Sequence, residues 1–294
     1  MTAAWDNYYA PDTVADALQI LRRYEGRARV VGGGTDLLVE ARRGLRRPFE
    51  AIVDATRIGG LDRIEEDGDH LVIGCGVTHT TIVNDDRVVR FGTCLSESCG
   101  VIGGPQVRNT GTLAGNVAHA LPAGDGTIGL LALGGEIEIA GIDGSRWMAV
   151  KDSFEGPGRS KIDRHREILT RLRFRKATDD EGSAFHRVMR PQGLCLPIVS
   201  MAASLQLDGD TITAAGISMG PVGPVPWFAE PAADVLVGHS VAPARFEKAA
   251  GVALEHITLR ASKYRATEEY RETMIRTWLP VILSTAARRA GAEL

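Results

Sequence analysis

The chain has 294 residues, of which 44% are apolar, and its formal net charge at pH 7 is −3. This length and composition are sufficient for two or three compact units with buried cores. A net charge so close to zero excludes a general electrostatic reason for binding nucleic acid.

The N-terminal segment MTAAWDNYYAPD lacks the basic and apolar regions of a secretion signal, and no apolar run reaches membrane-spanning length. We therefore expect a cytoplasmic protein without a membrane span. The cysteines Cys75, Cys94, Cys99 and Cys195 show neither C-x-x-C nor ferredoxin-like spacing. This spacing favours buried free thiols over a metal site, and no metal ligand is predicted.

The first unit, residues 1–58, alternates helices and strands. The segment DTVADALQILRRY has apolar residues at helical spacing, and ARVVG and AIVDA are typical of strands. Between these strands, VGGGTDLLVEARRG places three glycines before a short helix. The alternation predicts a small unit that mixes helices and strands.

The three glycines, Gly32 to Gly34, lose more backbone entropy on folding than other residues and therefore need a reason. One reason is a strand-to-helix turn with positive φ, capped by Thr35 or Asp36. The other is an anion, because a backbone without Cβ atoms approaches a phosphate closely with successive N–H groups. The segment is neither G-x-G-x-x-G, since Leu37 replaces the third glycine, nor a P-loop. The stretch alone leaves both reasons open.

The second unit, residues 59–173, begins with a predicted hairpin formed by LDRIEED and HLVIGCGV about the turn DGD. Two helical stretches follow, HTTIVNDDRVVRFG and FGTCLSESCG. A polar, glycine-rich passage over 103–125 then precedes the helix GTIGLLALGG and the strand EIEIAG. A polar passage between apolar elements is typical of a segment buried around a ligand.

The third unit, residues 174–294, is predicted to be an antiparallel meander followed by two helices. The strands are expected in HRVM, IVSMAASLQLDGDTITAAGISMG and VPWFAE, and the helices in FEKAAGVALEHIT and TEEYRETMIRTWLPVILSTAARRA. Gly216–Gly220 matches the G-x-S-x-G pattern of a hydrolase nucleophile. Three prolines follow within six residues and prevent the helix that this motif needs, so we expect no nucleophile at Ser218.

The passage from Gly111 to Asn116 repeats the chemistry of the first glycine run, with small residues, main-chain amides and side-chain donors. Two such loops can bind one diphosphate from two sides, since each hydrogen bond to a charged group contributes about 1.5–3 kcal/mol. His119 is predicted to be a hydrogen-bonding residue in the pocket wall, and Asp125 an acceptor for ribose or ribityl hydroxyls. These features indicate a dinucleotide and leave FAD, NAD and CoA open.

At Val31–Leu37, VGGGTDL, and at Thr112–Asn116, TLAGN, the sequence resembles the FAD-binding medium subunit of the molybdenum hydroxylase family. This family includes carbon monoxide dehydrogenase and xanthine dehydrogenase. The likeness runs nearly end to end through QVRNTGTLAGN, LPAGD, LLALGG, FEGPG, EIL, SAFHRVMR, ISMGPVGPVP and ATEEYR. It implies an α+β fold with a two-lobed FAD-binding domain of the vanillyl-alcohol-oxidase or PCMH type. An α+β C-terminal domain with a small antiparallel sheet and helices would follow.

The resemblance also implies which residues contact FAD. The diphosphate and ribityl region would lie against Ala28, Arg29, Val30, Val31, Gly32, Gly33, Gly34, Thr35 and Asp36, and against Gly111, Thr112, Leu113, Ala114, Gly115 and Asn116. Further polar contacts would come from His119 and Asp125, and the isoalloxazine would lie near Leu169 and near His186 or Arg187. No catalytic acid, base or nucleophile is predicted, because the cofactor supplies the chemistry.

The resemblance implies two partners, a large molybdopterin-binding subunit and a small 2Fe-2S subunit, assembled as a dimer of heterotrimers. Electrons would pass through FAD to NAD⁺, a quinone or oxygen. Three departures from the family pattern matter: Ala114 replaces a glycine and requires negative φ, Leu121 replaces a serine, and Ile128 replaces a proline. The segment after Arg190 is also altered. The substitutions at Ala114 and Leu121 leave open a cofactor-free assembly subunit as an alternative, and a stand-alone flavin oxidase is a further one.

Overall fold

Three β-sheets of three or more strands follow one another along the described chain, within residues 7–54, 64–175 and 181–228. The structure is a computed structural model and describes residues 5–44, 49–190, 196–262 and 265–294. Helices lie against each of the three sheets, so the predicted α+β class is confirmed. The domain boundaries after residues 58 and 173 stay predictions.

The first lobe contains a three-stranded parallel sheet in the order β1-β3-β2. Its elements are β1 (Asn7–Tyr9), α1 (Val14–Tyr24), β2 (Ala28–Val31), α2 (Leu37–Arg42) and β3 (Ala51–Asp54). Helix α1 begins after Thr13, whose hydroxyl accepts a hydrogen bond from the Asp16 amide. The buried face of α1, which includes Leu18 and Leu21, packs on this sheet.

The second lobe is built on a five-stranded antiparallel sheet in the order β4-β5-β10-β6-β7. The strands are β4 (Ile64–Asp67), β5 (His70–Gly74), β6 (Glu136–Gly141), β7 (Gly144–Ala149) and β10 (Ile168–Arg175), and β8 (Phe154–Gly156) pairs with β9 (Arg159–Ser160). The hairpin β4–β5 confirms the turn expected at DGD. In β10 the pairing with β6 shifts register between Leu169 and Arg171, at the start of the strand.

Six helices of the second lobe lie between β5 and β6. They are α3 (His79–Asn84), α4 (Asp86–Phe91), α5 (Thr93–Gly100), α6 (Pro105–Arg108), α7 (Leu113–His119) and α8 (Asp125–Ala132). The stretch HTTIVNDDRVVRFG, predicted as one helical segment, divides at Asp85, whose carboxylate accepts from the Arg87 and Val88 amides and so caps α4. Every residue of α8 is buried.

The C-terminal part has a four-stranded antiparallel meander in the order β11-β12-β13-β14, as the sequence predicts. Its elements are β11 (Glu181–Met189), β12 (Pro197–Asp208), β13 (Thr211–Gly220), β14 (Trp227–Phe228), α9 (Glu230–Asp234), α10 (Pro243–Glu255) and α11 (Glu268–Arg289). One face of the sheet packs on α5 and α8, and the other packs on α11. The sheet therefore lies between two apolar clusters.

Three serine hydroxyls of this sheet donate hydrogen bonds to helix α8. The bonds run from Ser200 to Asp125 Oδ1 (2.5 Å), from Ser204 to Ala132 O (2.6 Å) and from Ser218 to Ile128 O (2.6 Å). They attach the second lobe to the C-terminal sheet. Ser218 is fully buried within β13, which agrees with the expectation that it is no nucleophile.

Candidate cofactor site

A cavity of about 810 Å³ lies where the two lobes meet the C-terminal sheet. Its volume is within the range of small-molecule and cofactor pockets. Most of the residues predicted to contact FAD line this cavity: Arg29, Val30, Val31, Gly32, Gly33, Gly34, Thr35, Asp36, Gly111, Thr112, Ala114, Gly115, Asn116, His119, Asp125, Leu169 and Arg187. The structure therefore brings together segments that are far apart in the sequence.

The two glycine-rich loops touch each other at this cavity. A Cβ atom on Gly33 would lie 1.9 Å from the Thr110 carbonyl oxygen, and one on Gly32 would lie 2.7 Å from Thr112 Oγ1. Neither position accepts a side chain without movement of the opposite loop. Gly34 instead has φ of +68°, so it forms the turn. Close approach and turn geometry thus each explain part of the glycine run.

The first loop offers a row of main-chain donors. In the described part of the chain, the N–H groups from Gly32 to Asp36 have no hydrogen-bond acceptor. Asp36 immediately precedes α2, but its side chain accepts no hydrogen bond from an amide of that helix. The sequence considered Asp36 as one of two capping residues, and a side-chain cap by Asp36 is therefore not observed. Successive unbonded amides beside glycines fit a diphosphate, which supplies several acceptor oxygens.

The second loop is held by its own hydrogen bonds. The Thr112 hydroxyl accepts from the Gly115 amide at 3.0 Å, and Asn116 Oδ1 accepts from the amide and the hydroxyl of Thr127. Ala114 lies in α7 and is not among the non-glycine residues with positive φ in the described ranges. The negative φ that the replacement of a glycine by Ala114 requires is therefore observed.

The cavity wall also contains a buried ion pair, formed by Arg187 and Asp125. Arg187 Nη1 lies 2.9 Å from Asp125 Oδ2, and the Arg187 and Asp125 side chains are 8% and 4% exposed. Burial raises the pKa of the Asp125 carboxyl, whereas the bonds from Ser200 and Arg187 act in the opposite direction. Both Asp125 oxygens already accept a bond from the protein. Its expected contact with ribityl hydroxyls stays a prediction.

Three predicted contact residues do not line the cavity. The side chains of Ala28 and Leu113 belong to the hydrophobic core. The His186 ring stacks on Trp278 of α11, with centroids 3.8 Å apart and planes at 17°. Successive side chains of a strand point to opposite faces, so Arg187 faces the cavity while His186 packs on α11. Of the two alternatives considered for the isoalloxazine, Arg187 is the one at the cavity.

His119 and Leu169 also line the cavity. His119 ends α7, and its Nε2 atom lies 3.6 Å from Glu40 Oε1 of α2. The contact joins the two lobes. Leu169 lies at the start of β10, next to the register shift, and is 7% exposed.

The sequence reasoning missed several residues of the wall, among them Glu40, Cys75, His79, Leu196 and Arg265. His79 is nearly fully buried, and burial lowers its pKa to about 4. Its Nδ1 atom has no hydrogen-bond partner within the described ranges, while its amide donates to Gly111 O. Isolated residues of this kind carry no sequence pattern that would place them at the cavity.

The cysteine prediction holds where the structure describes it: Cys75, Cys94 and Cys99 are buried and free, and Cys195 lies outside the described residues. Burial raises the pKa of Cys75 to about 12. No group of metal-binding side chains occurs in the described ranges. Within the same ranges, no helix is long and apolar enough to cross a membrane.

Two family profiles together match most of the chain. Residues 3–174 match the FAD binding domain in molybdopterin dehydrogenase, and residues 183–286 match the CO dehydrogenase flavoprotein C-terminal domain. The chain belongs to the family of FAD-binding medium subunits of molybdenum hydroxylases. Its cofactor is FAD, and it is a subunit of an oxidoreductase. The cofactor-free alternative is therefore set aside.

This FAD-binding subunit is 31% identical over 287 residues to the carbon monoxide dehydrogenase medium chain of Afipia carboxidovorans, covering 98% of this chain and 97% of that relative. It is 30% identical to the nicotine 6-hydroxylase medium subunit of Paenarthrobacter nicotinovorans, with coverage of 91% and 92%. Reconstituted CO dehydrogenase from Oligotropha carboxidovorans has the same fold, with a TM-score of 0.91, 29% identity and coverage of 98% and 99%. The family resemblance predicted from the glycine loops is confirmed.

Proposed function

We propose that this subunit transfers electrons within a multi-subunit molybdenum hydroxylase. It would receive them from a small 2Fe-2S subunit and pass them to an acceptor such as NAD⁺, a quinone or oxygen, while a large molybdopterin subunit oxidises the organic substrate. The relatives are medium chains or subunits of multi-subunit enzymes, which supports such partners. The assembly as a dimer of heterotrimers and the cytoplasmic location belong to the same proposal.

The observation that carries the proposal is the contact between the two glycine loops at the cavity. At this cavity, the main-chain amides from Gly32 to Asp36 have no hydrogen-bond acceptor among the residues that the structure describes. These amides and the second loop, Gly111 to Asn116, would hold the FAD diphosphate. Amide donors that are already fixed in position bind an anion without the cost of ordering a flexible loop.

The isoalloxazine would lie near Leu169 and Arg187, and His119 and Asp125 would add polar contacts, since all four residues line the cavity. When bound, FAD supplies the redox chemistry by accepting and releasing one or two electrons. The residues of the chain position it and exclude water. Leu169 supplies apolar surface, whereas Arg187 supplies a fixed positive charge whose partner is Asp125.

Visible spectroscopy of the purified chain tests the proposal. After incubation with FAD and removal of unbound cofactor, we expect flavin absorption bands in stoichiometric amount. Under anaerobic conditions a reduced 2Fe-2S partner subunit should bleach these bands, whereas an organic substrate alone should not. Absence of flavin bands would refute the proposal. Bleaching by an organic substrate without either partner would instead favour a stand-alone flavin oxidase.

A further inference from the structure

We infer that Ser200 is a positioning residue of the cofactor cavity, because its hydroxyl, acting through Asp125, holds the Arg187 guanidinium in the cavity wall. The inference rests on the proposed function, in which this cavity binds FAD. Ser200 itself does not line the cavity. Its effect on the cofactor would therefore be indirect.

The three residues form one hydrogen-bonded cluster. Arg187 of β11 and Ser200 of β12 are direct partners across the antiparallel pair, so their side chains lie on the same face of the sheet. Both reach the carboxylate of Asp125, the first residue of α8, at 2.9 Å for Arg187 and 2.5 Å for Ser200. One carboxylate of the second lobe thus binds two neighbouring strands of the C-terminal sheet.

Because the cluster is buried, the loss of one of its hydrogen bonds should change the positions of the remaining side chains. Ser200 is 1% exposed and Asp125 4%, so water does not replace a lost hydrogen bond easily. Without the Ser200 hydroxyl, one Asp125 oxygen loses its donor, and only the bond from Arg187 would orient the carboxylate. Arg187 would then lose the fixed direction of its charge-assisted bond.

One hydrogen-bond donor of Arg187 has no partner in the described residues. Its Nε atom is buried and has no acceptor among the residues that the structure describes. Arg187 lines the cavity with the remainder of its side chain, so its positive charge lies in the wall, although the Nε atom itself is not accessible from the cavity. A guanidinium held at this place would bind the cofactor and make its reduction more favourable, since a nearby positive charge stabilises added negative charge.

Ser218 provides a matched control on the neighbouring strand. It is also fully buried, and its hydroxyl donates to helix α8 at 2.6 Å, as Ser200 does at 2.5 Å. Its acceptor, however, is the Ile128 carbonyl oxygen, and neither residue lines the cavity. Loss of either hydroxyl should weaken the attachment of α8 to the sheet. Loss of the Ser200 hydroxyl alone should change the cofactor environment.

The test compares Ser200→Ala, Ser218→Ala and Arg187→Gln in the full chain. FAD affinity is measured by flavin fluorescence, and the midpoint potential by equilibration with a reference dye. We expect Ser200→Ala and Arg187→Gln to weaken FAD binding about tenfold and to make the potential more negative, whereas Ser218→Ala stays within about twofold of wild type. Combining Ser200→Ala with Arg187→Gln should add little.

Equal affinities and potentials for Ser200→Ala and Ser218→Ala would overturn the inference, as would full additivity in the double variant. If Ser200→Ala does not fold, Arg187→Gln decides alone, because unchanged binding and potential would leave Ser200 nothing to position. A wild-type chain that fails to bind FAD would instead remove the proposed function. The two failures are therefore distinguishable.

Discussion

The Thr110 carbonyl oxygen lies so close to Gly33 that a Cβ atom on Gly33 would stand 1.9 Å from it. We predict that Gly33→Ala separates the two loops and weakens FAD binding at least tenfold. Because the obstacle is backbone, the variant should also lose about 1–3 kcal/mol of unfolding free energy. Flavin fluorescence titration and denaturant unfolding measure the two effects.

Gly251 is the control for this substitution, since it lies in α10, has no positive φ, and its added Cβ atom would meet nothing within 4 Å. Gly251→Ala should leave FAD affinity unchanged and raise helix stability by up to about 1 kcal/mol. Wild-type affinity in Gly33→Ala would show that the contact between the loops does not matter for the cofactor.

His79 should make stability depend on pH. Burial lowers its pKa from 6.5 to about 4, so between these values the unfolded chain binds more protons than the folded one. Stability should therefore fall as pH decreases from about 6.5 to about 4, by about 3 kcal/mol in total from this residue. Denaturant unfolding at pH 5 and pH 7.5 measures the effect.

The comparison variants are His79→Asn and His239→Asn. His239 is exposed, so its replacement should leave the pH dependence of the wild type intact. His79→Asn should reduce the slope between pH 4 and 6.5. An unchanged slope in His79→Asn would assign the acid sensitivity to other groups.

His186 should contribute to stability and not to the cofactor site. Its ring stacks on Trp278 at a centroid distance of 3.8 Å and does not line the cavity. We expect His186→Ala to lose about 1 kcal/mol of unfolding free energy, typical of an aromatic pair, with unchanged FAD affinity. A tenfold loss of affinity would place His186 at the flavin, in agreement with the other alternative from the sequence.

Arg271 of helix α11 should contribute strongly to the stability of the fold. It is fully buried, and its Nη1 atom donates to the carbonyl oxygens of Ile198 and Pro221, the latter at 2.9 Å. We expect Arg271→Ala to cost about 3–5 kcal/mol, since two buried carbonyls lose their donor and a large side chain is removed.

Arg276, on the same helix, is the control for Arg271. Its side chain is 55% exposed and pairs with Glu272 one turn earlier. Such an exposed pair contributes about 0.5 kcal/mol or less, so Arg276→Ala should be nearly neutral in denaturant unfolding. Equal losses for the two variants would contradict the role assigned to the buried arginine.

The C-terminal meander and both glycine loops were predictable because their signals are local. Alternating apolar residues set the strands, and glycines mark positions where the backbone turns or approaches another segment. The division of the helical stretch at Asp85 was not predicted, although a capping aspartate is a local signal. The contact between Gly33 and Thr110 joins residues far apart in the chain, so it appears in no local pattern.

The residues expected near the isoalloxazine were predictable only in part. Resemblance suggested His186 or Arg187, but the choice depends on which face of β11 meets the cavity. Strand register decides that face, and one residue of slippage would exchange the two side chains. The partnership of Asp125 with Ser200 also depends on the packing of α8 against the sheet, which a single sequence does not reveal.

Asp125 precedes its partners Arg187 and Ser200 by 62 and 75 residues. At a synthesis rate of ~5–20 residues per second, the later partner emerges from the ribosome ~4–15 s after the carboxylate. During this interval both glycine loops exist, but the carboxylate beside them has no counterion. A polypeptide truncated after the second lobe would therefore carry Asp125 without the arginine and the serine that bind it in the full chain.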